Sequence, residues 1–341
     1  MYNIFKKHRR WKLICAILSL SLLTVMAGAA VAPALGLIQA YFADTDRSLV
    51  QMIVSMPALF IAGTNLFLFK PLCKRFRART LLIFGLLLYT VFGCLAGLFS
   101  NILMILVCRA LVGIGVGIIM PLSTGLLSFY FTRDKQGPLM GYSSALNMLG
   151  GVVATLIAGG LAMISWRLSF MVYLLGLISI VLCIIWMPND RIYDSSRKAQ
   201  SAGSSGQYAP YILVMFVLSF TFFVYPANFA LECSSSGAIP QGLIAPVMAM
   251  MDVFGTLAGS AFVGLANGIG VPYIMTSASA KAGRDAATTV MPLISASLYL
   301  AQFATPLILS ATGHFTDVSS FIIAVFAALL LAAASFTIKE Q

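Results

Sequence analysis

Two charged residues lie within long apolar segments of this sequence, Arg109 and Asp252. A charge inside a membrane helix is costly, so it faces the protein interior or an aqueous cavity and marks a functional site by default. Arg109 could instead extend to the outer surface, because the helical rise places it only about 10 Å from the start of its segment. Asp252 lies about ten residues into its segment, too deep for a short side chain to reach water, and is a candidate proton or cation site. A neutral, hydrogen-bonded core acid, or an acid that faces water, is the alternative for Asp252.

The composition places most of the chain in a membrane. Of the 341 residues, 60% are hydrophobic and only 9% are charged, whereas soluble domains have about 25% charged residues. The net charge of +11 does not indicate nucleic-acid binding, because the basic residues lie in short loops between apolar segments. The sequence contains no metal-ligand spacing and no Ser-His-Asp set. It therefore predicts no enzymatic activity, no metal and no cofactor.

Apolar windows of about 19 residues predict membrane helices. The windows fall at 13–38, 49–69, 81–100, 102–128, 139–163, 169–187, 210–231, 287–309 and 318–338, with one further crossing over 243–280. We therefore expect an all-α polytopic membrane protein with about ten transmembrane helices. A polar, Ser/Gly-rich stretch over 188–209 predicts a cytoplasmic linker between an N-terminal six-helix bundle, 1–187, and a shortened C-terminal bundle, 210–341.

The basic residues predict the orientation of these helices. If the N-terminus is cytoplasmic, 18 of the 21 Lys and Arg residues fall in cytoplasmic segments. Lys and Arg are retained on the cytoplasmic side of membrane helices. The sequence thus predicts a multi-pass plasma-membrane protein with both termini in the cytoplasm.

The second half of the chain repeats part of the first. Residues 112–121 align with 263–272 at an offset of 151, and a shorter match between 62–64 and 258–260 has an offset of 196. The difference, 196 − 151 = 45 residues, predicts that the second half lacks about one loop and one helix, so that 243–280 crosses the membrane once. Parallel repeats of this kind are typical of secondary transporters.

Two motifs in the first half resemble those of a known family. The loop after the second predicted helix reads Lys70-Pro71-Leu72-Cys73-Lys74-Arg75-Phe76-Arg77-Ala78-Arg79, and the fourth helix carries Arg109, Gly113, Gly115, Gly117 and Pro121. They are similar to the G-x-L-x-D-R-x-G-R-K loop and the R-x-x-x-G-x-G helix of the major facilitator superfamily, in its drug and metabolite efflux branch. The resemblance covers most of residues 11–190, and the family has twelve helices where this chain has about ten.

The resemblance implies roles for these residues. Leu72, Arg75 and Arg79 would belong to a loop that latches the cytoplasmic helix ends in one transport state, with Lys74 where the family has an acid. A loop that is basic only because it lies on the cytoplasmic side is the alternative. Arg109 would take part in proton coupling. Gly113 and Gly117 form a small-residue face on the fourth helix, which favours close helix packing over a direct part in transport.

The fifth helix matches the family in part. Ala154-Thr155 replaces the Gly-Pro pair of the antiporter motif. The helix does carry glycines at Gly150, Gly151, Gly159 and Gly160. Trp166 and Arg167 fit the W-R-x-x-F turn into the sixth helix, although a role as interfacial anchors explains them equally well.

Four amides inside predicted helices could line a weakly polar cavity or form interhelical hydrogen bonds. They are Asn65, Asn147, Asn267 and Gln302. The expected function is secondary active transport of a small molecule by alternating access, as proton-coupled efflux. A monomer would perform it, with the substrate and the lipid bilayer as its partners. The alternative is a non-transporting or defective relative with a shortened second half.

Overall fold

The structure of the chain is a computed structural model. It describes residues 2–131, 133–190, 208–236, 240, 242–247, 271, 273–274, 278 and 292–308. Within these residues every regular element is a helix. The predicted all-α fold class is therefore confirmed.

Eight α-helices form the N-terminal bundle. They are α1 (Tyr2–Ala29), α2 (Leu35–Tyr41), α3 (Arg47–Gly63), α4 (Phe69–Arg75), α5 (Ala78–Leu95), α6 (Ile102–Tyr130), α7 (Arg133–Ala162) and α8 (Gly176–Trp186). Short 3-10 segments at Ala32–Ala34, Ala96–Leu98 and Leu168–Leu175, and a π-helical turn at Thr64–Leu68, continue them. Together they make six segments long and apolar enough to cross a membrane: Trp11–Tyr41, Arg47–Arg75, Ala78–Leu98, Ile102–Leu127, Pro138–Ala162 and Leu168–Trp186. These segments match the first six predicted spans.

Polar side chains begin two of these helices at the same end of the bundle. Asp46 accepts a hydrogen bond from the Ser48 backbone nitrogen at 3.2 Å, and Asn101 accepts one from the Leu103 backbone nitrogen at 2.8 Å. Such caps satisfy backbone donors that a helix start leaves unpaired. We call this end, with residues 42–46, 99–101 and 163–167, the distal end; residues 76–77 and 187–190 mark the proximal end.

The first span is broken near the distal end. The backbone nitrogen of Ala30 donates to the Met26 carbonyl oxygen at 3.1 Å, and the 3-10 turn Ala32–Ala34 follows. Pro33 stands in that turn and has no N–H to continue an α-helix. The regular α-helix is therefore interrupted between α1 and α2, close to the buried Arg109 described below.

Glycines bring α6 close to two other helices. A Cβ atom at Gly113 would overlap the carbonyl oxygen of Pro57 on α3, and one at Gly117 would lie 2.7 Å from the Cβ of Thr64. On the other side, a Cβ at Gly115 would lie 2.6 Å from a backbone carbonyl oxygen of α5. These distances leave no room for a side chain, so the small-residue face of the fourth span serves helix packing.

Fewer elements are described in the C-terminal half. They are α9 (Ala209–Ser236), a helical segment at 242–247 and α10 (Pro292–Ile308). The predicted crossing over 243–280, the span over 318–338, Asp252 and Asn267 fall mostly or wholly outside the described residues, as does most of the linker over 188–209. The number of spans in this half and the 45-residue shortfall stay predictions.

Candidate functional site

Arg109 lies in the interior of the N-terminal bundle with 0% of its surface exposed. Its Nε donates to the carbonyl oxygen of Ile53 at 2.7 Å. One terminal nitrogen donates to the phenol oxygen of Tyr173, and the other donates to the carbonyl oxygen of Ala27. The side chain thus does not extend to the distal surface, and it joins α6 to α1, α3 and the segment Leu168–Leu175. We call these four residues the Arg109 centre.

Tyr173 completes this centre. Its hydroxyl donates to the Ala27 carbonyl oxygen at 2.9 Å, and its ring lies 5.5 Å from the guanidinium carbon of Arg109. The ring also packs edge-on against Tyr89, with centroids 5.0 Å apart. In the part of the chain that the structure describes, no carboxylate pairs with Arg109. The charge is held by carbonyl and phenol oxygens, each of which accepts a guanidinium N–H.

A second polar group joins α1 to α6 and α7. The Ser21 hydroxyl shares hydrogen bonds with the hydroxyls of Ser123, at 3.1 Å, and Ser143, at 2.6 Å. One turn further along α1, the Thr24 hydroxyl donates to the side-chain oxygen of Asn147. Hydroxyl and amide side chains commonly bond across packed membrane helices. Asn147 therefore forms an interhelical hydrogen bond, one of the two roles predicted for it.

The other described amides have different surroundings. Asn65 is only 3% exposed, and neither atom of its amide has a hydrogen-bond partner. It lies in the π-helical turn beside Thr64, whose hydroxyl is also buried and without a partner. Gln302 is half-buried on α10, with its Nε2 2.9 Å from the position that a Cβ on Gly28 would take. The structure thus places Gln302 against the N-terminal bundle, next to the Arg109 centre.

The glycines of α7 mark helix crossings. A Cβ at Gly150 would overlap the carbonyl of Leu22 on α1, and one at Gly151 would lie 3.0 Å from the Val25 side chain. Gly159 packs against Ala245 of the C-terminal half, whereas no atom lies within 4 Å of a Cβ at Gly160. Three of the four glycines therefore serve close packing, and Gly160 does not.

The basic loop lies at the proximal end. Arg79 donates to the carbonyl oxygen of Ile184 near the end of α8. Leu72 packs against the core, and the exposed Arg75 has its guanidinium carbon 5.9 Å from the Phe76 ring centroid. Of the three predicted latch residues, Arg79 and Leu72 thus contact the bundle, and Arg75 faces outward.

Asp190 adds a carboxylate beside this loop. Its backbone oxygen accepts from the Ala78 nitrogen at 3.1 Å, and its Oδ2 accepts from the Tyr130 hydroxyl at 2.8 Å. Burial, followed by the contact with Asp190, raises the pKa of the Tyr130 phenol above its ordinary value. Tyr130 therefore stays protonated as a donor. The two hydrogen bonds of Asp190 link the proximal ends of α5 and α6 to the third residue of the predicted linker.

Arg167 closes the distal end of the third span. Its guanidinium donates to the carbonyl oxygens of 97–99 at 3.3–3.4 Å, to the Ser100 hydroxyl at 3.0 Å and to the Tyr41 hydroxyl at 3.1 Å. It also lies 4.7 Å from the centroid of the Trp166 ring. A cation that satisfies carbonyls at a helix C-terminus is stabilising, so these residues have a structural role.

Several of these polar residues were not among the predicted site residues. They are Ser21, Thr24, Ser123, Ser143, Tyr173 and Asp190. A signal existed for Tyr173, because a buried phenol usually finds a hydrogen-bond partner and Tyr173 stands in an apolar segment. As for metals, the described ranges contain no group of three His, Cys, Asp or Glu side chains that could hold an ion.

Comparison with known proteins agrees with this architecture. The chain is 25% identical to an uncharacterized transporter of Schizosaccharomyces pombe over 206 residues, which are 59% of this chain and 42% of that one. It is 28% identical to a multidrug transporter of Candida glabrata over 196 residues, 56% of this chain and 33% of that one. A multidrug efflux pump of Staphylococcus aureus is 26% identical over 151 residues, 43% of this chain and 34% of the pump. The chain thus spans less than half the length of these curated relatives.

Solved transporter structures share the fold. A peptide transporter superposes with a TM-score of 0.67 at 14% identity, covering 96% of this chain and 95% of that chain. A D-xylose-proton symporter gives a TM-score of 0.57 at 16% identity, covering 94% and 87%. Residues 15–232, more than half of the sequence, match the family model described as the Major Facilitator Superfamily. With six apolar membrane-crossing segments in its N-terminal bundle and Arg109 at their centre, the chain belongs to the Major Facilitator Superfamily.

Proposed function

We propose that the chain is a secondary active transporter that exports a small amphipathic molecule across the plasma membrane by alternating access. The proton gradient would drive export, and the protein would act as a monomer with both termini in the cytoplasm. The proximal end of the bundle would then face the cytoplasm.

The contact between the two halves carries this proposal. We call it the seam: the contact of α1–α8 with α9, segment 242–247 and α10. On α10, the Tyr299 hydroxyl donates to the Met120 sulfur at 3.1 Å. At the distal end, Gly159 packs on Ala245. These described contacts involve no charged side chain, so they oppose sliding or rocking of one bundle against the other less than ion pairs would.

The interior of the N-terminal bundle has the opposite character. The Arg109 centre ties α6 to three other segments through charged hydrogen bonds, which are roughly twice as strong as neutral ones. The bonds of Ser21 and Thr24 add α7 to this network. Hydrogen bonds within one bundle, beside uncharged contacts between the two halves, are the arrangement that we expect for rigid-body alternating access.

The relatives favour efflux. Two of them are named as a multidrug transporter and a multidrug efflux pump. The uncharged character of Met120, Tyr299 and Gln302 at the seam suits an amphipathic substrate that enters from the bilayer or the cytoplasm.

Ethidium efflux tests the proposal. Cells that express the chain are loaded with ethidium, and fluorescence is followed after glucose is added, with and without a protonophore. We expect the chain to accelerate the loss of fluorescence and the protonophore to abolish the difference from cells without the chain. Efflux that persists with the protonophore would contradict the proton coupling but not the export. No efflux of ethidium or a panel of cationic dyes by a well-folded chain would favour the non-transporting alternative.

A C-terminal green fluorescent protein tests the topology separately, because it fluoresces only if it remains in the cytoplasm. We expect fluorescent cells. Dark cells in which the full-length fusion is present would contradict a cytoplasmic C-terminus.

A further inference from the structure

Pro57 interrupts the backbone hydrogen bonds of α3. It lies inside that helix and is buried. Proline has no backbone N–H, so in an α-helix the carbonyl oxygen four residues earlier loses its donor. For Pro57 this is the carbonyl of Ile53, a residue with 0% of its surface exposed. A buried carbonyl without a donor is costly, so another group is expected to supply one.

Arg109 supplies that donor from α6. Its Nε donates to the Ile53 carbonyl oxygen at 2.7 Å. Gly113, four residues further along α6, lets the two helices approach, because a Cβ there would overlap the Pro57 carbonyl oxygen. Residues four apart lie on the same face of a helix. One face of α6 therefore carries both the replacement donor and the glycine that permits close contact with α3.

The second carbonyl that Arg109 binds is of the same kind. Ala27 is among the last four residues of α1, whose carbonyl oxygens have no donor within an α-helix. A terminal nitrogen of Arg109 and the hydroxyl of Tyr173 both donate to the Ala27 oxygen. The guanidinium thus binds at two places where a helix lacks a backbone donor.

We propose that Arg109 replaces the backbone N–H that Pro57 removes from α3, and that this replacement fixes α3 against α6. Pro57 and Arg109 then act as one unit: the proline frees the Ile53 carbonyl oxygen, and the guanidinium occupies it. Arg109 is a positioning residue in this unit. The proposal concerns the place of its Nε rather than its charge, so it does not depend on the direction or the coupling of transport.

Arg109→Lys separates the place of Nε from the charge. Lysine has a methylene carbon where arginine has Nε, so the Ile53 carbonyl loses its donor while the cation remains. Pro57→Ala gives the same carbonyl a backbone N–H. The parent, the two single variants and the double variant Arg109→Lys/Pro57→Ala are unfolded with SDS as purified chains.

The expected result is a rescue by the second substitution. In the parent, Arg109→Lys should raise the equilibrium constant for unfolding by at least about thirtyfold, because a buried carbonyl loses a charged donor. When Pro57→Ala is present, the factor for Arg109→Lys should be at least about fivefold smaller. The effect of Pro57→Ala by itself cancels in this comparison.

Pro121→Ala is the matched control. Pro121 lies inside α6, and the carbonyl whose donor it removes is that of Gly117. Gly117 lies about 12 Å from Arg109 along the helix, so the two substitutions should act independently. When Pro121→Ala is present, Arg109→Lys should have the same factor as in the parent, within about twofold.

Two results would overturn the proposal: an unchanged factor with Pro57→Ala, or an equal reduction with Pro121→Ala. If Arg109→Lys does not fold, the yield of folded protein in size-exclusion chromatography gives the same comparison. Pro57→Ala should then restore folded protein and Pro121→Ala should not. No recovery with Pro57→Ala, or equal recovery with both, would overturn the proposal as well.

Discussion

Arg109 and Tyr173 donate to one and the same acceptor, the carbonyl oxygen of Ala27. They also bond to each other, since the guanidinium donates to the phenol oxygen. The three groups form a closed triangle that joins α6, α1 and the segment Leu168–Leu175. In this triangle Arg109 has a structural task in addition to any part in proton coupling.

The first prediction concerns the shape of the guanidinium. Arg109→Lys keeps the charge but loses the planar fork that reaches Ile53, Ala27 and Tyr173 at once. We expect the free energy of unfolding to fall by about 2–4 kcal/mol, because buried carbonyls lose their donors. Titration of the purified chain with SDS measures it. Arg75→Lys, at an exposed cation of α4, is the matched control and should change stability by less than about 0.5 kcal/mol. Equal effects of the two variants would contradict the structural role.

The spans and their apolar character could be predicted from the sequence, because a membrane helix must be continuously apolar over the bilayer thickness. The break after α1 could also have been predicted, since Pro33 has no N–H with which to continue a helix. The partners of Arg109 could not. Tyr173 lies 64 residues further along the chain than Arg109. No local sequence pattern predicts which buried phenol accepts a hydrogen bond from a guanidinium.

The same limit applies to the polar side chains. Sequence placed Asn65 and Asn147 together as amides inside spans, yet the structure gives Asn147 a partner on α1 and leaves Asn65 without one. The sequence did not predict the π-helical turn that carries Asn65. Tertiary packing, rather than residue type, separates the two roles.

The second prediction tests the close packing of α6. Gly113→Ala places a methyl group against the carbonyl oxygen of Pro57, a rigid backbone atom that cannot turn aside. We expect a loss of about 2 kcal/mol or more in the free energy of unfolding. Gly125→Ala on the same helix has no atom within 4 Å and should gain about 0.5–1 kcal/mol from helix propensity. A neutral Gly113→Ala variant would contradict the close approach of α6 to α3.

The third prediction concerns pH at the proximal end. Burial and the contact with Asp190 raise the pKa of Tyr130, so the folded state favours the protonated phenol. The stability from its hydrogen bond is then fully present below the ordinary tyrosine pKa of about 10 and is lost only as the pH rises through the higher folded value. Tyr130→Phe should therefore lower the free energy of unfolding by about 1 kcal/mol, equally at about pH 6 and about pH 9. Tyr142→Phe, at an exposed tyrosine, should have no effect. A cost that disappears by about pH 8 would contradict the raised pKa.

The fourth prediction is a gain in the free energy of unfolding rather than a loss. Asn65 is the reason, because its amide is buried without a hydrogen-bond partner. Such a group costs about 1–3 kcal/mol, and an apolar side chain of similar shape removes the cost. We expect Asn65→Leu to raise the free energy of unfolding and Asn147→Leu, which breaks the bond to Thr24, to lower it. Both variants are measured by SDS titration and by ethidium efflux. A buried polar group retained at a cost in stability is expected at a functional site, so a more stable Asn65→Leu with slower efflux would assign the amide to transport. A loss of stability in Asn65→Leu would instead mean that the Asn65 amide forms hydrogen bonds in the folded chain.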